Sequence, residues 1–129
     1  MDEWNSDDRT SIATEDELNI ATARADGTMR PPVVVWGVVD GGDVYIRSVN
    51  GVDGRWYRGT GDRMQGHLST DDVDRDVEFV TVDATGSPQL TRRIDAAYRE
   101  KYHRYAGSIV DSITSPTASA ATLRVLPAS

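Results

Sequence analysis

Short apolar runs with the two-residue alternation of half-buried strands recur along the chain, separated by turn-forming residues. Leu18 to Arg24 (LNIATAR) sets Leu18 and Ile20 against polar neighbours and reads as a strand. Asp26-Gly27 is a hairpin signal between that run and the β-branched stretch Val33 to Val39, which is entered through Pro31 and Pro32. Asp40 to Asp43 (DGGD) is a further tight turn leading to Val44 to Val49, so three consecutive strands form a meander. Met64 to Leu68 and Val77 to Val82 add two more, with Val77 and Phe79 facing away from Val80 and Val82. Ala121 to Leu126 is the sixth, closed by Pro127.

Helical periodicity is extended only once. Ser87-Pro88 is a helix start, and Ile94, Ala97, Tyr98, Tyr102 and Tyr105 then follow on one face. Asp95 with Arg99 and Glu100 with Arg104 are spaced as i,i+4 pairs on the exposed side. Gly107 ends this helix, and a second short turn runs to Ile113. Residues 1–13 read as a flexible arm that docks through Trp4. Thr14 with Glu17 resembles a capping box opening one helical turn. The expected architecture is therefore one α+β, mainly β domain over residues 14–129: six antiparallel strands in a closed or split barrel, one long helix in the C-terminal half and short flanking helices.

At 129 residues the chain can bury a core without staples, and its lack of cysteine removes disulfides, thiol catalysis and every Cys-based metal site. No apolar run suggests a membrane span, and the opening MDEWNSDDRT has no secretory signature, which points to the cytoplasm. A net charge of −7 opposes a nucleic-acid partner. The charge is carried by 16 Asp against 5 Glu and by 13 Arg against a single lysine, Lys101. That bias suits a halophile, in which salt screens surface repulsion, and equally suits a high-GC codon bias.

Several constellations carry little chemistry. Asp72, Asp74, Asp76, Glu78 and Asp83 copy positions of a calcium loop, but Val77 replaces the turn glycine, so a solvated acidic loop is the better reading. His67 and His103 lack companion ligands, neither serine near them sits in a nucleophile elbow, and Gly59-Thr60-Gly61 has Met64 where a dinucleotide loop needs its third glycine. No metal site and no catalytic residue is assigned. The segment Tyr45 to Arg58 is different. Arg47 and Ser48 end a strand, glycines follow, and Arg55 and Arg58 bring guanidinium donors back to the same region, as a phosphate site requires. The same arginines fit equally well as partners of Asp53, Asp62 and other surface carboxylates. Trp36 and Trp56 offer flat apolar surface to an aromatic ring or to the core.

Val35-Trp36-Gly37-Val38, Tyr45-Ile46-Arg47-Ser48, Trp56-Tyr57-Arg58, Tyr98-Arg99-Glu100-Lys101-Tyr102 and Thr122-Leu123-Arg124 together resemble domain-of-unknown-function family 2255 along nearly the whole chain. That family is similar to the split β-barrel flavoproteins, among them pyridoxamine phosphate oxidase and the deazaflavin-dependent nitroreductases. The resemblance implies a six-stranded split barrel and a homodimer with FMN or the deazaflavin coenzyme held between subunits. It also implies an oxidoreductase passing hydride between that ring and a small substrate. By the same resemblance the strand ending in Arg47 and Ser48 and the loop after it hold the cofactor phosphate. The cofactor-binding candidates are thus Arg47, Ser48, Arg55, Trp56, Arg58 and Trp36. The competing class is a non-catalytic homodimeric module binding another phosphate-bearing ligand or none.

With 21 acidic side chains, the melting temperature should rise between low and molar salt as repulsion is screened. A thermal melt that is flat or falls over that range would count against adaptation to salt.

Overall fold

The computed structural model describes residues 3–128. Seven strands form one antiparallel sheet: β1 (Leu18–Thr22), β2 (Val33–Val35), β3 (Gly37–Asp40), β4 (Asp43–Arg47), β5 (Gln65–Ser69), β6 (Asp74–Thr81) and β7 (Thr122–Pro127). Their order is β2-β1-β5-β6-β7-β4-β3. The two end strands of that order, β2 and β3, are joined through Trp36 alone, so the sheet curls into a nearly closed barrel. The count is seven rather than six because the expected strand Val33 to Val39 changes partner at Trp36. Val33–Val35 pair with β1, and Gly37–Asp40 pair with β4.

The flanking helices are α1 (Ser6–Thr14), α2 (Arg55–Thr60), α3 (Pro88–Lys101), α4 (Gly107–Ile113) and α5 (Pro116–Ser119). Helix α1 corrects the expected single turn at Thr14: it begins eight residues earlier, because the Asn5 side chain caps it by accepting from Asp8 N–H. Trp4 is buried and its indole donates to the Val125 carbonyl at 2.8 Å, closing one end of the barrel. No helix among the described residues is long and apolar enough to cross a membrane.

Alternation divides the apolar residues into two cores. Leu18, Ile20, Val35, Val44, Ile46, Leu68, Val77, Phe79, Leu123 and Val125 fill the barrel. Val38 and Tyr45 point outward from β3 and β4 and are covered by Ile94, Tyr98, Tyr102, Val110 and Ile113 of α3 and its neighbours. The second core fastens α3 across the junction at Trp36. Tyr98 Oη donates to the Trp36 carbonyl at 2.8 Å, and Lys101 Nζ donates to the Gly37 carbonyl at 2.6 Å. The Tyr102 hydroxyl accepts from Gly37 N–H at 3.2 Å and donates to the Asp16 carbonyl at 2.6 Å. The Tyr102 ring lies parallel to the Trp36 indole with centroids 3.9 Å apart. Gly37 has no room for a side chain: a Cβ would lie 2.5 Å from Leu18 Cδ1 and 3.2 Å from the Tyr45 carbonyl oxygen.

Tyr102→Phe keeps the ring and leaves Gly37 N–H buried without its acceptor. It should cost about 1–3 kcal/mol of stability, read as a lower urea midpoint with an unchanged slope.

Candidate functional site

The barrel is open where its pairing changes. On one side β2 pairs only with β1, and on the other the chain beyond Ile46 pairs only toward β7, with Ser48 N–H donating to the Ala121 carbonyl at 3.2 Å. Two hollows lie in this split and meet at Asn50 and Trp56. The first, about 440 Å³, is walled by Val34, Val35 and Trp36 on one side, Arg47 and Val49 on the other, and Ile109, Ser112 and Ile113 of α4. The second, about 500 Å³, is walled by Ile20, Thr22, Arg30, Pro31, Val33 and Arg55. Each falls in the size range of a small-molecule pocket, largely apolar with a few convergent polar groups.

The loop after β4 builds the shared wall. A 3₁₀ turn at Gly51–Asp53 starts with Gly51 at φ +73°, and Gly54 then packs so close that a Cβ would lie 2.2 Å from Ser48 Oγ. This compact turn starts α2 at Arg55 and sets Trp56 between the hollows, in place of the flexible glycine segment that the sequence suggests.

The six sequence candidates separate. Trp36, Arg55 and Trp56 line the split, and Arg47 lies in the wall of the first hollow. Ser48 and Arg58 line neither. The expectation that Arg47 and Ser48 present donors to a phosphate meets a physical obstacle, because both are buried and the Arg47 guanidinium is already engaged. Arg47 Nη1 binds Asp95 at 2.5 Å and the Ile113 carbonyl at 3.1 Å, and Nε donates to Thr122 Oγ1 at 3.0 Å. Its guanidinium lies 5.4 Å from the Tyr98 ring centroid. The Arg47 side chain is 0% exposed, and leaving it unmatched would be costly, so Asp95 turns inward to it instead of pairing with Arg99 on the surface. Glu100 likewise leaves Arg104 to Asp16.

Arg30 is the wall residue that no sequence pattern marked. It donates to the Ala23 and Gly59 carbonyls at 3.0 and 3.1 Å and pairs with Asp62. Arg55 and Arg58 form no hydrogen bond or ion pair through their side chains with any described residue. With Arg30 and Arg47 neutralised by Asp62 and Asp95, Arg55 is the uncompensated cation of the split. Among the described residues no His, Cys, Met, Tyr or carboxylate borders either hollow.

The remaining titratable candidates lie elsewhere. His67 on β5 binds Asp76 at 2.8 Å and also Asp74, both on β6, and those hydrogen bonds hold its pKa above the usual histidine value. Asp74, Asp76 and Glu78 are therefore alternate positions of a strand, where a calcium-type loop was weighed. His103 Nδ1 contacts the Glu100 carbonyl within its own helix region.

Solved structures share this architecture at low identity. HutZ, described as the heme storage protein of Vibrio cholerae, superposes with a TM-score of 0.69 at 14% identity, over 96% of this chain and 90% of its own. A conserved hypothetical protein of Mycobacterium tuberculosis, Rv2991, gives 0.62 at 15%, over 99% and 82%. A protein described as an F420 reductase gives 0.52 at 16%, over 94% and 93%. At these identities the likeness establishes the split-barrel fold. No functionally curated protein matches the chain in sequence. Residues 8–125 match a family described as uncharacterized proteins conserved in bacteria, and the chain belongs to that family, domain-of-unknown-function family 2255.

Proposed function

We propose that the split binds a flavin-type cofactor, the deazaflavin coenzyme or FMN, and that the protein is a homodimeric oxidoreductase acting on a small molecule. The observation that carries this reading is an apolar cleft flanked by two indoles, Trp36 and Trp56, with one unpaired guanidinium, Arg55, at its edge. Such a cleft suits a ligand with a flat ring at one end and an anion at the other. When bound, a flavin or deazaflavin ring supplies hydride transfer. The residues of this chain hold it. Trp36 is fixed by its stack on Tyr102, Arg55 donates to the phosphate, and the valines of β2 with Ile109 exclude water.

The fold shared with an F420 reductase supports the deazaflavin choice. The fold shared with a heme storage protein raises haem as an occupant, and here the donor set favours the flavin-type reading. Haem iron is held by His, Cys, Met or Tyr, and none of these borders the hollows.

The homodimer is supported by the rim of the same cleft. Val33, Val34, Val49 and Ile109 of its lining are 37–56% exposed, an apolar patch that a second copy would cover.

Titration of deazaflavin coenzyme and FMN, followed by absorbance and fluorescence, should show saturable binding. Arg55→Ala should weaken it about ten- to a hundredfold, the worth of one charge-assisted hydrogen bond. A colourless protein that binds neither compound overturns the oxidoreductase and leaves the non-catalytic module. Light scattering at micromolar concentration should give twice the chain mass, and a monomer would remove the second copy from the site.

A further inference from the structure

Strand β3 ends the sheet, so half of its main-chain groups face away from β4. The register fixes which half. Ser48 N–H, just past β4, donates to the Ala121 carbonyl, so in the alternation of an antiparallel strand Ile46 and Val44 also bond toward β7, and Tyr45 and Asp43 bond toward β3. Tyr45 and Asp43 lie opposite Val38 and Asp40. Gly37 and Val39 therefore turn their N–H and C=O groups out from the free edge. At Gly37 both are taken, the N–H by the Tyr102 hydroxyl at 3.2 Å and the carbonyl by Lys101 Nζ at 2.6 Å. At Val39 no described residue accepts from the N–H or donates to the carbonyl.

Val39 packs its side chain against the barrel core, so the main chain is what it presents outward. It borders a cavity of about 430 Å³ between α1, β3 and α3, apart from the split. Ala13 and Thr14 of α1 and Ala97 and Glu100 of α3 line this cavity, and Ala13, Thr14 and Glu100 are exposed, so it is reached from solvent. Its charges are unequally matched. Arg104 is paired with Asp16, and Lys101 is turned to the Gly37 and Ile12 carbonyls, whereas Glu100 forms no ion pair among the described residues.

We propose that the free edge of β3 docks an extended peptide segment of a partner protein, one that carries an arginine or lysine. The peptide residue opposite Val39 donates its N–H to the Val39 carbonyl and accepts the Val39 N–H, the pair of bonds that antiparallel strands exchange. A ligand with a donor or an acceptor alone satisfies half of this pair. Tyr102 and Lys101 block the edge at Gly37, and Asp40 is closed by its pairing with Asp43, which leaves Val39 as the open position and fixes the register. Opposite residues share a face, so the residue facing Val39 points toward the α1 side and must be small and apolar. Its neighbours in the peptide point to the face of Val38, on the α3 side, where Glu100 is the charge without a partner.

The probe is the blocked tripeptide acetyl-Arg-Val-Arg-amide, whose central valine can face Val39 in either chain direction with a cation beside Glu100. Titrated to millimolar concentration into the nitrogen-15-labelled protein, it should shift the Val39 amide resonance saturably. The same peptide N-methylated at its valine cannot donate to the Val39 carbonyl and should bind about tenfold more weakly. Glu100→Gln, a change on the exposed face of α3, should weaken the parent peptide about two- to fivefold. A Val39 amide that the peptide does not move overturns the proposal, as does an N-methylated peptide that binds as tightly as its parent. Equal binding to Glu100→Gln and wild type overturns the basic partner. A Val39 resonance that shifts when the protein alone is concentrated assigns the edge to a second copy and overturns the peptide.

Discussion

The structure depends on one strand serving both ends of a sheet. Between Val35 and Gly37 the chain leaves β1 and joins β4, and the single residue Trp36 lies between the two ladders. Such a junction interrupts main-chain hydrogen bonding in the middle of the protein, where unpaired polar groups are costly. Helix α3 meets that cost. Tyr98, Lys101 and Tyr102, on successive turns of one face, take up the Trp36 carbonyl, the Gly37 carbonyl and the Gly37 N–H. The outer core that buries Ile94 and Tyr98 against Val38 and Tyr45 holds the helix in place for this role.

The same junction makes the cleft. Because β2 and β4 part at Trp36, the barrel opens on the side away from the clasp, and the indole that stacks on Tyr102 also forms part of the opening. Electrostatics then sorts the arginines. Arg47, enclosed under the cleft, requires Asp95, the Ile113 carbonyl and the Thr122 hydroxyl, and so joins β4, α3, α4 and β7 into one unit. Arg30 is tied to Asp62. Arg55, on the first turn of α2 and exposed, needs no internal partner and keeps its donors for solvent or a ligand.

The strands were legible in the sequence because each carries its own alternation, and α3 because its apolar spacing continues from Ile94 to Tyr105. That Trp36, Arg55 and Trp56 come together in the cleft wall was half legible: the glycine-rich loop places Arg55 and Trp56 side by side, but ion pairing and core packing account for such residues in a sequence equally well. What escaped was whatever depends on contacts distant in the sequence. Nothing local tells that Asp95 faces Arg47, 48 positions earlier, and not Arg99, one turn away. Arg30 reaches the cleft only because the hairpin after β1 folds back over α2. The split of one strand into β2 and β3 has no break in its hydrophobic pattern, since Trp36 and Gly37 continue an apolar run. Helix α1 has so few apolar positions that its start shows only in the Asn5 cap.

Strand β7 lies between β6 and β4 in the middle of the sheet, although it follows every other strand in the chain. Without residues 122–127 the sheet is two separate ladders, β2-β1-β5-β6 and β4-β3, linked by the peptide through Trp36 and by the connection from β4 to β5. The indole of Trp4 likewise waits for the Val125 carbonyl, 121 residues later. The barrel is therefore completed from its last strand, and a chain interrupted before β7 is left with two open sheet edges, the surfaces on which unfinished β proteins aggregate.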